Sequence, residues 1–196
     1  KTAIIDGVCG WEGVPQQLFD LLDELDIDLQ SIEYLIINHM EPDHSGWIED
    51  FKKIKSDFKV VCSKKSAELL EHFYGQTDNV ITVGDNDTLD LGGGRLLQFW
   101  EIPNVHWPDT MVTFDPLTGT LFSCDAFGSF GKTTVSNYDD MLDEDQLAFF
   151  EGETIRYYAN IVAAFSAPVI RAIDKCSHLP IRIVAPGHGI VWRKDP

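Results

Sequence analysis

Along the first half of the chain, short apolar runs alternate with stretches of helical period. Residues 2–6 (TAIID) read as a strand. Residues 15–26 carry Leu18, Leu21, Leu22 and Leu25 at helical spacing, with Pro15 suited to a first turn. Residues 34–38 (YLIIN) form the uninterrupted run of a strand buried on both faces. Ser45 is placed to cap a helix from Gly46 to about Ile54. Residues 59–62 (KVVC) are a further strand. Ser63 caps a helix running to Tyr74, where Gly75 stops it.

The pattern then changes to closely spaced strands: residues 80–83, 88–91, 96–102, 111–114 and 121–123. Gly92-Gly93-Gly94 and Pro116-Leu117-Thr118-Gly119 supply turns, so hairpins are expected. A long helix follows over residues 143–176, with Ile161, Phe165, Val169 and Ile173 on one face and Pro168 expected to kink or split it. Residues 181–185 are a last strand before the loop Pro186-Gly187-His188-Gly189. The whole reads as one α/β domain, its sheets rich in hairpins and its helices outside. The opening strand has nothing before it to pair with, and no tail follows Pro196, so a fragment of a longer chain is expected.

Charge narrows the range of partners. With 32 acidic and 15 basic residues the net charge is −17, which opposes binding to nucleic-acid phosphates and to anionic lipid. No apolar run is long enough to span a bilayer, and no signal peptide is visible. Cys9, Cys62, Cys124 and Cys176 are scattered without a CxxC pair. Reduced thiols in a cytoplasmic protein are the natural reading.

The chemistry concentrates where strands end. His39-Met40-Glu41-Pro42-Asp43-His44 places four metal-capable side chains within six residues, directly after YLIIN. If the segment stays extended, His39, Glu41 and Asp43 point the same way, while Pro42 stiffens the loop. His106, Asp125 and His188 each follow a later strand. Glycines on both sides of His188 allow close backbone approach. Seven ligands suit two metals with one carboxylate bridging. A mixed nitrogen and oxygen set without thiolate suits zinc or iron, with the extra carboxylate favouring iron or manganese. Cys124 is expected to face away if the pleat continues. Asp109 is either the partner that orients a ligand histidine or a turn residue. Trp107 and Phe127 line an apolar pocket or belong to the core. His72 and His178 are surface residues. Asp139-Asp140 and Asp143-Glu144-Asp145 read as solvated loop and helix start.

His39-x-Glu41-x-Asp43-His44, followed by His106, Asp125 and His188, resembles the metallo-β-lactamase superfamily. With glutamate in place of the second histidine, it is the pattern of the flavodiiron proteins. The segments 38–46, 106–111, 124–128, 157–161 and 186–193 are similar to that family over essentially the whole chain. The resemblance implies an αββα metallo-β-lactamase-like sandwich over residues 1–196, lacking its first strands. It implies two non-haem irons. His39, Glu41, His106 and Asp125 would hold the first, and Asp43, Asp125 and His188 the second. Asp125 would bridge, and His44 would have an open role. It also implies reduction of O2 to water or of NO to nitrous oxide. In the family the electrons come from FMN on a flavodoxin-like domain, across a head-to-tail homodimer.

This chain stops where that domain would begin, and it has no dinucleotide fingerprint. FMN is therefore expected only if the full protein carries such a domain, with rubredoxin or a flavin reductase as other donors. A flavin-less diiron sensor of O2 or redox state, working with a protein partner, is the alternative. A binuclear zinc hydrolase is a further one.

Overall fold

The computed structural model describes residues 1–8, 13–133, 135–194 and 196; Cys9 lies outside the described residues. Two sheets form. In the first, β1 (Thr2–Ile5), β2 (Ile32–Ile37), β3 (Lys59–Ser63) and β4 (Val80–Val83) run parallel in sequence order. Parallel neighbours need crossovers. These are provided by helices α1 (Gln16–Glu24), α2 (Pro42–Ser45), α3 (Ile48–Ile54) and α4 (Lys64–Tyr74). In the second sheet, β5 (Thr88–Gly92), β6 (Arg95–Glu101), β7 (Met111–Asp115) and β8 (Thr120–Cys124) make the expected antiparallel hairpins, and β9 (Ile183–Pro186) adds in parallel beside β8. Helices α5 (Glu144–Tyr157) and α6 (Ser166–Cys176) precede β9.

The pleat sorts the apolar residues into three layers. Leu35, Ile37, Val60 and Cys62 face α1, α3 and α4 through Leu22, Phe51 and Leu70. Their neighbours Tyr34, Ile36, Val61 and Val83 face the other way and pack on Leu89, Leu97, Phe99 and Met111 of the second sheet. The outer face of that sheet, with Trp100, Val112, Phe114 and Leu121, receives Tyr157, Val162 and Cys176 from the α5–α6 region. Helix, sheet, sheet, helix is the expected αββα order, and both sheets bury both faces. No helix among the described residues is long and apolar enough to cross a membrane.

Several local expectations need correction. Ser45 caps nothing, because its hydroxyl donates to the carbonyls of Met40 and Glu41 and meets the Tyr74 hydroxyl. It ends α2 and does not begin α3. The long helix is broken by a π-helical turn at Tyr158–Val162 and a 3-10 turn at Ala163–Phe165. There the Asn160 amide donates to the Arg156 carbonyl and the Ser166 hydroxyl to that of Ala163, side chains competing with the helical ladder. Pro168 sits in the first turn of α6, where proline is tolerated, so the split lies upstream of it. Ile173 ends up half exposed. Asp139 is buried, accepting the backbone N–H groups of Arg193 and Lys194, and is not a solvated loop residue.

Other signals hold. Ser63 accepts from the Ser66 N–H, and Gly75 takes the left-handed conformation after Tyr74. Asp143 and Gln146 cap α5 reciprocally. Asp143→Ala removes that cap and is expected to cost about 1 kcal/mol. A thermal melt should register this as a drop of about 2–4 °C, without loss of bound metal.

Candidate metal centre

All seven predicted residues gather at one end of the two sheets, at or just beyond the C-terminal ends of strands, the edge where α/β sheets bind ligands. Asn38 ties the sheets together beneath them. Its carbonyl accepts the Met111 N–H, its side-chain oxygen accepts the Thr113 hydroxyl, and its backbone N–H donates to Asp6.

The imidazole Nε2 atoms converge on Asp125. Oδ2 of Asp125 lies 2.9 Å from His106 Nε2 and 3.5 Å from His39 Nε2. Glu41 Oε2 closes this group at 3.0 Å from His106 and 3.1 Å from His39. Oδ1 of Asp125 lies 3.0 Å from His44 Nε2 and 3.2 Å from His188 Nε2. Asp43 Oδ2 completes the second group, 3.2 Å from His188 and 3.7 Å from His44. His39, Glu41, His106 and Asp125 could hold one ion, and Asp43, His44 and His188 another. The single carboxylate of Asp125 faces both groups, one oxygen toward each.

Extended alternation does not carry through this segment. Pro42 opens α2, so Asp43 leaves the side occupied by His39 and Glu41 and joins His44. Proline is well suited to that first helical position. The pleat also breaks at Cys124, where φ is +56° and the register with β9 shifts. Cys124 stands with Asp6 and His44, outside both groups that surround Asp125. Burial pushes its thiol well above the ordinary value, so it is no thiolate. Cys62, Cys124 and Cys176 are all free and buried.

Behind the centre, Asp109 settles as a positioning residue. It is buried, and its Oδ2 accepts the Met40 N–H at 2.8 Å and the Ser66 hydroxyl at 2.9 Å. Its Oδ1 faces His39 Nδ1 at 3.5 Å. Asp6 plays the same part behind His44 Nδ1, at 3.7 Å. Sequence reasoning missed Asp6, although it too stands at a strand end. It also gave Tyr157 no place at the centre, yet its ring lies 5.6 Å from that of His188. Trp107 packs edge-on against His39 at 4.9 Å, while Phe127 is half exposed and lines a cavity described below. His72 and His178 are exposed, as expected. The glycines around His188 make room for side chains of the chain itself. A Cβ on Gly187 would come within 2.8 Å of His44 Cε1, and one on Gly189 within 1.9 Å of Ser129 Oγ.

Electrostatics fit a cation. Burial would raise the Asp125 carboxyl, but hydrogen bonds from His106, His188 and His44 hold it far below its ordinary range. His188 holds Asp43 down as well. Hydrogen bonds to Asp125 and Asp43 raise His188 to about 9. Burial works against His44, yet hydrogen bonds to Asp125 and Asp6, with their charge, carry it to about 11. Both Asp125 oxygens, Glu41 Oε2 and Asp43 Oδ2 each face two imidazole nitrogens, and Asp43 Oδ1 and His39 Nδ1 are buried without a hydrogen-bond partner. A metal ion satisfies such a set with neutral imidazoles, whereas without metal it must hold protons.

That gives a pH prediction for protein stripped by chelator. His188 and His44 are raised from an ordinary 6.5, so their contribution to stability is full below about pH 6.5 and is lost as pH rises, through about 9 for His188 and about 11 for His44. The melting temperature of the stripped protein should fall across that window. Metal should flatten the decline, because ligation keeps the imidazoles neutral throughout.

Comparison with known proteins agrees with this geometry. Residues 2–189 match the family described as ODP family beta lactamase. The chain belongs to the ODP β-lactamase family. Among relatives of this ODP chain, a nitric oxide reductase of Moorella thermoacetica is 35% identical over all of the chain and 48% of the relative's own length. Diflavin flavoprotein A 1 of Synechocystis is 37% identical over all of the chain and 33% of its own length. A flavoprotein of Thermotoga maritima superposes with a TM-score of 0.87 at 32% identity, over 99% of this chain and 46% of that one. Rubredoxin oxygen:oxidoreductase of Desulfovibrio gigas does so with a TM-score of 0.85 at 29% identity, over 98% and 47%. The ODP chain thus spans between a third and a half of the length of these relatives. The resemblance to flavodiiron proteins read from the sequence is borne out, and so is the metallo-β-lactamase-like fold.

Proposed function

We propose that residues 1–196 are the diiron domain of an oxidoreductase that reduces NO to nitrous oxide or O2 to water. The observation that carries this reading is the double use of Asp125 between two sets of imidazole and carboxylate donors, one of which includes Glu41. His39, Glu41, His106 and Asp125 would hold one iron. Asp125, Asp43 and His188 would hold the other, with His44 aimed at the same Asp125 oxygen.

When bound, two irons would supply two electrons and positions at which a diatomic can bind. The balanced reactions are 2 NO + 2 e⁻ + 2 H⁺ → N2O + H2O and O2 + 4 e⁻ + 4 H⁺ → 2 H2O. The first matches the electrons of one reduced pair, whereas the second needs resupply. The chain's own residues set the rest. Asp109 and Asp6 hold the imidazoles of His39 and His44 in orientation. Burial, with the negative charge of Asp125 and Asp43, raises the Tyr157 phenol, so it stays a neutral O–H beside His188. Asp43 and His188 are part-exposed and stand at the solvent side, where protons enter. The electrons would come from a flavodoxin-like domain with FMN in a head-to-tail partner subunit, or from a rubredoxin or flavin reductase.

Glu41 weighs against a zinc hydrolase. An anion in place of a neutral ligand lowers the Lewis acidity that activates water, and it favours an oxidised diferric pair. The test is metal analysis, followed by stopped-flow oxidation of the reduced protein with NO and with O2. Two irons per chain, oxidised by at least one gas, are expected. Two zincs, with hydrolysis and no gas reaction, would sink the proposal.

A further inference from the structure

A cavity of about 590 Å³, partly open to solvent, lies between the outer face of the second sheet and the α5–α6 region, beside the contacts that join them. Its position relative to the metal-binding loops gives it a function. The walls are aliphatic: Val112 and Leu121 on the sheet, and Val162, Val169 and Ala172 from the helical side. At one end it reaches the loops that carry the centre. Val105, immediately before His106, lines it, as do Asp125 itself and residues 126–128. Tyr157 lines it too, and its ring lies against that of His188. Ile155, Tyr158 and Ile173 line it while being 71%, 41% and 50% exposed, and Phe127 is half exposed too, so it opens to solvent. The helical break at residues 158–165 sits over this mouth.

We propose that this cavity is the supply route by which an uncharged diatomic substrate reaches Asp125 from within the fold, a reading that rests on the function proposed above. The chemistry of the walls selects the occupant. An apolar cavity of this kind holds water poorly and takes up apolar guests such as xenon. NO and O2 dissolve better in hydrocarbon than in water, so they enrich there. A larger organic ligand or cofactor would need a few converging polar groups to orient it; beyond the Asp125 and Tyr157 end, the hydroxyls of Ser123, Thr154, Tyr158 and Ser177 on these walls are already hydrogen-bonded to neighbouring protein groups. The polar face of the centre, lined by Glu41, Asp43 and His188, is left for protons. Gas and protons then need not share one entrance.

Gly128 packs closely between the Asp125 loop and Tyr157. A Cβ on Gly128 would lie 3.1 Å from the Asp125 carbonyl and 3.2 Å from the Tyr157 ring. The space between the bridging carboxylate's loop and the phenol therefore exists because residue 128 has no side chain.

Two arms test the route in the full-length, iron-loaded protein. In the first, xenon is the probe. Pressurised crystals or xenon-induced methyl shifts should place it among Val112, Leu121 and Val162, and Val169→Trp should expel it. Ala172→Leu is a milder filling should the tryptophan not fold. In the second arm, the bimolecular rate of oxidation of the reduced protein by NO and by O2 should fall about tenfold in the filled variant. Iron content and Mössbauer parameters should be unchanged, because neither residue touches the centre. Absence of xenon from the wild type would overturn the route, as would xenon binding with undiminished gas rates in the filled variants. A wild type that binds xenon but reacts with neither gas would instead overturn the functional reading, and the supply role with it.

Discussion

On the function proposed above, Asp125→Ala is expected to leave at most one iron per chain and to abolish fast oxidation of the reduced protein by either gas. The reason is geometric. Oδ2 of Asp125 faces His106 and His39 while Oδ1 faces His44 and His188, so among the described residues it is Asp125 that faces both halves of the centre. The carboxylate is buried and held ionised by three imidazoles. Removing it also removes the negative charge that both cations would share. Asp125→Asn isolates this effect from folding. It keeps shape and an acceptor oxygen but carries no charge, so it should melt close to the wild type while still losing iron. The measurements are iron per chain and Mössbauer area for each site. Two irons retained in both variants, with unchanged rates, would refute the bridging assignment.

Asp109→Ala has the second largest effect, and it acts through a residue that need not touch metal. Its carboxylate accepts the Met40 N–H and the Ser66 hydroxyl and faces His39 Nδ1, all of them buried. Burial opposes its charge, but His39, the Met40 N–H and Ser66 hold the carboxyl below the ordinary range. Truncation strands these groups away from water. A cost of about 3 kcal/mol is expected for the stranded donors together. In a chain of this length that is a melting temperature lower by about 10 °C. It also frees His39 to rotate, so affinity at the site of His39, Glu41, His106 and Asp125 should fall about 10- to 100-fold. Asp109→Asn, which can still accept from Met40, should recover most of the stability and less of the affinity. Equal recovery of both would mean that Asp109 is a packing residue only.

Much of the molecule was legible because its signals are local. The closely spaced strands and turns of β5 to β8, the apolar runs of β2 and β3, Ser63 and Gly75 at the ends of α4, and the acidic helix start at Asp143 all act within a few residues. The strand-end rule singled out His39, His106, Asp125 and His188 for the same reason, since a side chain just past a buried strand reaches the sheet edge whatever the rest of the fold does. The chain's pairing of donor types with that position was also enough to indicate two metals and a bridging carboxylate.

What tertiary structure alone decided depends on residues far apart in the chain. Asp43 parts from His39 and Glu41 because the chain turns into α2 at Pro42, a turn secured by Ser45 against Met40, Glu41 and the distant Tyr74. Asp139 is buried because the backbone of Arg193 and Lys194 returns to it across more than fifty residues. The helical period persists in the sequence through residues 158–165, yet side-chain hydrogen bonds to backbone carbonyls and packing on the second sheet break the helix there. Which Asp125 oxygen meets which histidine, that Asp6 stands behind His44, and that an apolar cavity runs under the loops all follow from how the sheets and helices pack. Sequence period specifies which face of an element is apolar; only the docking of those faces sets the distances between the groups they carry.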